Sequence, residues 1–235
     1  MRKLLVSTLA CMVVAVGQLV SAQEKTEPKS KLVQFQMVLL KRGPNWTATD
    51  TPEGQKIRSW HHEYFQTMVQ SGKAVLAGPL DDDSDIRGIY VFRTKNKEEA
   101  LGWANDDPAV KAGHLAVEMH PWWSEEVMKP AVMPLKLSRS YLALLTRGPK
   151  WTPERTPATE EIQKAHLQNI TRLAEMKKLV VAGPFGDDGR LRGIFVFKVS
   201  SLEEARALAD TDPAVQAGRL ALDIHPWLVP EGMLP

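Results

Sequence analysis

The sequence predicts an α+β fold: two ferredoxin-like βαββαβ units in tandem, packed as one pseudo-symmetric α/β barrel. Three observations predict it. The chain repeats itself at a fixed offset, each repeat alternates strand-like with helix-like runs, and a βαββαβ unit leaves one sheet face that a second unit can cover. "RGPNWT" (Arg42 to Thr47) returns as "RGPKWT" (Arg147 to Thr152), and "AGPLDDDSDIRGIYVF" (Ala77 to Phe92) as "AGPFGDDGRLRGIFVF" (Ala182 to Phe197). "DPAVKAGHLAVEMHPW" (Asp107 to Trp122) returns as "DPAVQAGRLALDIHPW" (Asp212 to Trp227). Each pair lies 105 residues apart, so the copies align without a gap from Gln34/Arg139 to Trp122/Trp227. About 40% of aligned positions are identical, far beyond chance for this length. Two copies are too few for a solenoid, so a packed pair is expected.

Each unit opens on an apolar run, "QFQMVLLK" or "RSYLALLT", that suits a buried strand. Thr51-Pro52 and Thr156-Pro157 read as a helix N-cap followed by proline, whose missing N–H is no loss in the first turn. Ile57, His61, Phe65 and Met68 recur at spacings of three and four, as do Ile162, His166, Ile170 and Leu173, giving each helix one apolar face. Gly72 supplies the first helix's stop. "AVLAGP" and "LVVAGP" make second strands, an acidic turn follows, and "RGIYVFR" and "RGIFVFK" make third strands. Ser201 with Glu204 forms a capping box on the second helix, which Asn96 with Glu99 approximates. After an Asp-Pro turn, "HLAVEMHPW" and "RLALDIHPW" complete the units as fourth strands.

The start, "MRKLLVSTLACMVVAVGQLVSAQ", has a basic tip, an apolar run and a small-residue ending, the layout of a secretory signal cleaved between Ala22 and Gln23. The expected organisation is a signal peptide (1–22), a linker (23–32), the first repeat (33–123), a linker (124–138), the second repeat (139–228) and a C-terminal tail (229–235). A periplasmic or secreted protein follows, with no membrane association once the signal is removed. Cys11 is the single cysteine, so the mature chain would hold no disulfide and no thiol nucleophile. Losing Arg2 and Lys3 leaves 28 basic against 28 acidic residues, and a neutral chain lacks the footprint of a nucleic-acid binder.

The repeat also sorts the histidines. His61 matches His166, but its neighbour His62 matches Leu167 and His114 matches Arg219, so His62 and His114 read as surface residues. His61 and His166, on the apolar helix face, are either core histidines with satisfied nitrogens or partly buried general bases. His120 and His225, in the shared "HPW", read as strand-terminal caps beside a proline kink. No HxH or HExxH spacing supports a metal site, and none is expected. Asp107 and Asp212 read first as N-caps ahead of a proline; Asp82, Asp83, Asp187 and Asp188 read as turn residues, and either set could orient a histidine. Gly78-Pro79 and Gly183-Pro184 are expected to end a strand beside a cleft. Arg42 with Trp46, and Arg147 with Trp151, place an arginine beside an aromatic on the loop after the first strand, a pairing that suits an organic anion.

"HLQNITRLAEMKKLVVAGPFGDDGRLRGIFVF", "SLEEARALADTDPAVQAGRL" and "IHPW" resemble the YCII-related (YciI-like) proteins in the order and spacing of their motifs. The resemblance covers both repeats. It implies a ferredoxin-like fold of the dimeric α/β-barrel type, with a cleft centred on a histidine and an aspartate. It also implies activity on small organic molecules, as in the dehydrochlorination of a chlorinated aromatic-pathway intermediate. Carried over by position, the histidine is His61 and His166. For the aspartate, Asp107 and Asp212 are named, with the turn aspartates as alternatives. Two departures stand out: the tandem fusion behind a signal peptide, and an "RGPxWT" loop longer than a minimal unit needs.

The expectation is therefore an exported lyase, isomerase or dehydrohalogenase, with His61 and His166 as general bases and Asp107 and Asp212 as their partners. Arg42, Trp46, Arg147 and Trp151 would hold a small organic substrate, anionic in the first instance. The alternative is a non-catalytic ligand-binding or scaffold protein. No cofactor is expected, although haem is a third reading, with His61, His166, His120 and His225 as available ligands. The pseudo-dimer lies within one chain, and further oligomerisation is open.

Overall fold

The computed structural model describes residues 31–235. The signal-peptide reading of residues 1–22 lies outside them. The first unit comprises β1 (Leu32–Arg42), α1 (Pro52–Gln70), β2 (Ala74–Pro79), β3 (Ile86–Phe92), α2 (Lys97–Asn105), α3 (Pro108–Lys111) and β4 (Leu115–Glu125). The second comprises β5 (Leu137–Arg147), α4 (Pro157–Glu175), β6 (Leu179–Pro184), β7 (Leu191–Phe197), α5 (Leu202–Ala209), α6 (Pro213–Gln216) and β8 (Leu220–Pro230). Each unit is one antiparallel sheet, ordered β2-β3-β1-β4 and β6-β7-β5-β8. The registers repeat at the sequence offset: Met37 faces Val91 as Leu142 faces Val196. The expected βαββαβ order is present twice, with a one-turn helix added before each last strand.

Local chemistry accounts for the helix ends. Thr51 Oγ1 accepts from Gly54 N at 3.0 Å and caps α1. Thr156 and Thr159 cap α4 reciprocally, at 3.2 and 2.9 Å. The box expected at Ser201 forms only by half. Ser201 Oγ accepts from Glu204 N at 3.1 Å, but the Glu204 carboxylate takes Ser200 N at 3.0 Å and the Lys178 ammonium at 2.8 Å instead. A charged donor competes better for a carboxylate than a neutral amide does.

The two sheets close on each other edge to edge, β2 against β8 and β6 against β4, with bridges at Leu80–Trp227 and Trp122–Phe185. Strand alternation separates two layers of core. Met37, Leu39, Ile89 and Val91 share one buried cluster with Leu142, Leu144, Ile194 and Val196 of the other unit, which places them in the barrel interior. The intervening Ala143, Leu145, Phe195 and Phe197 pack instead with Leu173 of α4 and Ala205 and Ala209 of α5. The helices thus cover the outer faces of the sheets.

The "HPW" segments do not end their strands, as the sequence suggested; β4 and β8 continue to Glu125 and Pro230. The prolines are tolerated because their N–H side faces the seam rather than the ladder to β1 or β5. Their carbonyls there accept Gly186 N (from Pro121, 2.7 Å) and Asp81 N (from Pro226, 2.8 Å) of the opposite unit. Each following indole also crosses the seam, Trp122 Nε1 donating to Gly183 O and Trp227 Nε1 to Gly78 O, both at 3.1 Å.

Candidate active site: a helix histidine on a buried aspartate

The apolar face of α1 carries His61 over the outer face of the first sheet, where α3 begins. Its Nδ1 lies 2.7 Å from Asp107 Oδ2. Asp107 is fully buried, whereas the His61 side chain is 30% exposed. The other carboxylate oxygen, Oδ1, accepts from Ala109 N at 2.9 Å and caps α3. Asp107 therefore both caps α3 and meets His61, one oxygen to each. A carboxylate only accepts hydrogen bonds, so Nδ1 of His61 carries its proton and the Nε2 lone pair is left available. No side chain among the described residues hydrogen-bonds that Nε2, and His61 lines a cavity of about 290 Å³.

The second unit repeats the arrangement. His166 Nδ1 lies 2.7 Å from the fully buried Asp212, whose Oδ1 accepts from Ala214 N at 2.8 Å. One atom differs. Tyr90 donates its hydroxyl to Asp107 Oδ2 at 3.3 Å, and the matching residue is Phe195. Burial, followed by the Asp107 charge, pushes the Tyr90 phenol far above its ordinary value, so it remains a donor. Nearby Tyr64 donates to Trp103 O at 2.6 Å and is pushed up to about 12 by burial first, then by Asp106 and Asp107.

The turn aspartates have another role. His120 Nδ1 lies 2.6 Å from Asp187, and His225 Nδ1 lies 2.7 Å from Asp82, each pair joining one unit to the other across the seam. Glu118 adds a second carboxylate to His120 at 2.9 Å and also meets Lys41 at 3.3 Å. Asp82 is held below its ordinary value; burial opposes this most strongly, but hydrogen bonds from Ser84 and His225 outweigh it. Glu118 is likewise lowered, against burial, by His120 and Lys41. Because these values are depressed on folding, the stability they confer is complete above the ordinary carboxylate range of about 4 and drains as pH falls below it. Urea midpoints should accordingly fall between about pH 4.5 and 3, and Asp82→Asn should flatten that fall. An equally steep acid limb in the variant would exclude Asp82 from the effect.

The four predicted substrate-binding residues divide. Arg42 donates to the Asp83 carbonyl at 3.0 Å and to its carboxylate, with its guanidinium 5.6 Å from the Trp46 ring; neither residue lines the His61 cavity. Arg147 donates to Asp188 in the same way, at 2.8 and 2.6 Å, and stands outside the His166 cavity, but Trp151 lines it. The cavities are reached instead by Arg87 and Arg192, from the "RGI" of β3 and β7. Their identity at the offset of 105 was the available signal, hidden inside a run that reads as strand. Gly78-Pro79 and Gly183-Pro184 lie beside the two cavities, as expected.

Haem finds no seat at the seam histidines or at His61. His120 and His225 are held at the seam with carboxylates facing both ring nitrogens, and their side chains are 12% and 6% exposed. The His61 cavity is at the small end of the range for drug-sized ligands, well short of a macrocycle. No three His, Cys, Asp or Glu side chains gather as metal ligands among the described residues.

The fold and site define a tandem-duplicated α/β-barrel protein with one His–Asp dyad per unit, each opening on a small cavity. A family model described as the YCII-related domain matches residues 35–122 and again 141–228, and the chain belongs to that family. It is 33% identical over 88 residues to the uncharacterized protein YjpA of Bacillus subtilis, a match covering 37% of this chain and 93% of that protein. Among solved structures, a mutant chlorite dismutase from Candidatus Nitrospira defluvii in complex with cyanide matches with a TM-score of 0.55 at 11% identity. That match covers 86% of this chain and 92% of the other. A provisionally assigned monooxygenase from Lactobacillus acidophilus matches with a TM-score of 0.51 at 12% identity, over 83% and 93% of the two chains. Identities this low establish the shared fold and nothing of the chemistry. No helix among the described residues is long and apolar enough to cross a membrane.

Proposed function

We propose that the protein is an exported small-molecule enzyme that removes a proton from carbon, giving elimination or isomerisation. The observation that carries this reading is the His–Asp dyad at 2.7 Å, present in both units, with a buried carboxylate and an imidazole opening on a cavity. The carboxylate fixes the Nδ1–H tautomer, so Nε2 is the base. Nε2 takes a proton from carbon beside an electron-withdrawing group, and the C–H electron pair becomes a C=C bond. In an elimination the leaving group departs with the electrons of its bond to carbon, and the proton passes to water in the next step. In an isomerisation the electron-withdrawing group takes up the charge, and the imidazolium returns the proton to another carbon. Arg87 and Arg192 provide the charge that holds an anionic substrate against the base.

The test is hydrogen–deuterium exchange into short carboxylates bearing an acidic C–H, followed by proton NMR in D₂O. The native protein should catalyse exchange, and His61→Gln with His166→Gln should lower it by about a hundredfold or more with little change in urea midpoint. Saturable binding without exchange would move the reading to a ligand-binding protein. Export rests on residues 1–22, and a mature chain that begins at Gln23 in the periplasmic or extracellular fraction is the expected result.

A further inference from the structure

Resting on that reading of the dyads, we infer that the two sites take different ligands: the second is built for an organic dianion, the first for a more compact and apolar monoanion. The internal repeat makes the comparison position by position. Around the first dyad, Arg58 of α1 lines the cavity but is paired with Asp50, leaving Arg87 as the cation without a carboxylate partner there. Leu135, from the connection into β5, and Leu137, the first residue of β5, add apolar lining to this cavity. In the second unit both members of the Asp50–Arg58 pair are replaced. Gln163 stands where Arg58 did, and Arg155 stands where Asp50 did.

The consequence is that a neutral ion pair gives way to one unpaired cation, Arg155, at the cavity mouth. The His166 cavity, about 430 Å³, is lined by both Arg155 and Arg192 and by no carboxylate. Arg155 has no ion-pair partner among the described residues, and Arg192 meets only Asp188, at 3.5 Å, a carboxylate already bound by Arg147 at 2.6 Å. An outer cavity of about 510 Å³ shares Trp151, Arg155, Gln163 and Arg192 with it and adds Arg219, where the first unit has His114. Glu154, Glu160 and Asp188 line only this outer part. Arg192 and Arg219 lie 4.7 and 5.2 Å from the Trp151 ring centroid, so the indole holds guanidinium groups in place rather than presenting a bare face to a ligand. A ligand whose C–H faces His166 therefore shares the cavity with two guanidinium groups, one for each of two carboxylates. A short dicarboxylate such as glutarate carries that charge.

Glutarate and butyrate are the probes, titrated calorimetrically into the mature full-length chain at low ionic strength. One glutarate should bind per chain, about tenfold or more tighter than butyrate, since one further charge-assisted pair is worth about that factor. Arg155→Asp with Gln163→Arg, which installs the first unit's pair in the second, should abolish the preference. The converse exchange, Asp50→Arg with Arg58→Gln, should raise glutarate stoichiometry to two. All four positions are on the surface or the cavity rim, and a urea midpoint checks that each variant is folded. Equal affinity for the two probes, no glutarate binding at millimolar concentration, or a preference indifferent to both exchanges would overturn the inference. Selective glutarate binding without carbon-acid exchange would retain it while removing the proposed chemistry.

Discussion

Replacing Gly78 with alanine is expected to lower the free energy of unfolding by about 3 kcal/mol or more, the range of severe overpacking. A Cβ at Gly78 would sit 1.8 Å from the carbonyl oxygen of Leu228, on the strand of the opposite unit that closes the barrel. The obstacle is backbone and cannot rotate away. The residue also has φ +153°, a conformation that L side chains rarely adopt, and its own carbonyl accepts the Trp227 indole. Gly183 is the equivalent in the second unit, with a Cβ 1.8 Å from Trp123 O, and should behave alike. Gly102 is the control: it is exposed in α2, and a Cβ there meets nothing within 4 Å. Gly102→Ala should be neutral or stabilise by up to about 1 kcal/mol. Urea unfolding of the three variants decides the matter. A loss below about 1 kcal/mol at Gly78 would mean that the seam is not closed as tightly as this contact requires.

That contact also marks where sequence reading stops. The strands, the two long helices and their caps were legible because each rests on neighbours in the chain: Thr51 on Gly54, Thr156 on Thr159, Gly72 on the last turn of α1. The barrel followed from the repeat, since two copies of a unit with an uncovered sheet face have one economical solution. Gly78 and Trp227, by contrast, are 149 positions apart, and only barrel closure brings them together. The site shows the same division. Comparing copies selected His61 and His166 as a pair, and the structure places them in equivalent settings, but the choice between the turn aspartates and the capping aspartates depends on which histidine each meets. Both sets turn out to hold one, Asp107 and Asp212 within a unit and Asp82 and Asp187 between units. Arg87, Tyr90 and Arg155 escaped notice for different reasons. The first two lie inside an apolar strand run, and Arg155 has significance only because Asp50 occupies its place in the other copy.

Asp107→Asn should reduce carbon-acid exchange at the first site by about 10²- to 10⁴-fold while costing far less in stability than its full burial suggests. Asparagine keeps an oxygen that can still accept from Ala109 N, so the cap on α3 survives. The amide nitrogen then faces His61 Nδ1, and two donors cannot share that bond. His61 resolves the conflict by moving its proton to Nε2, which lets Nδ1 accept from the amide but removes the lone pair from the atom facing the cavity. Tyr90 also loses its carboxylate acceptor, which adds about 1 kcal/mol of destabilisation absent from Asp212→Asn, where Phe195 stands instead. Asp107→Ala is the contrasting variant: it removes the cap, the histidine partner and the tyrosine acceptor together, and should destabilise by about 3 kcal/mol. Nitrogen-15 shifts of the imidazoles report the tautomer directly, and exchange kinetics report the base. To isolate the first site, both measurements are made in a His166→Gln background. A changed tautomer with lost exchange identifies Asp107 as the positioning residue of a general base. Exchange within about threefold of the parent would leave the aspartate a cap and nothing more.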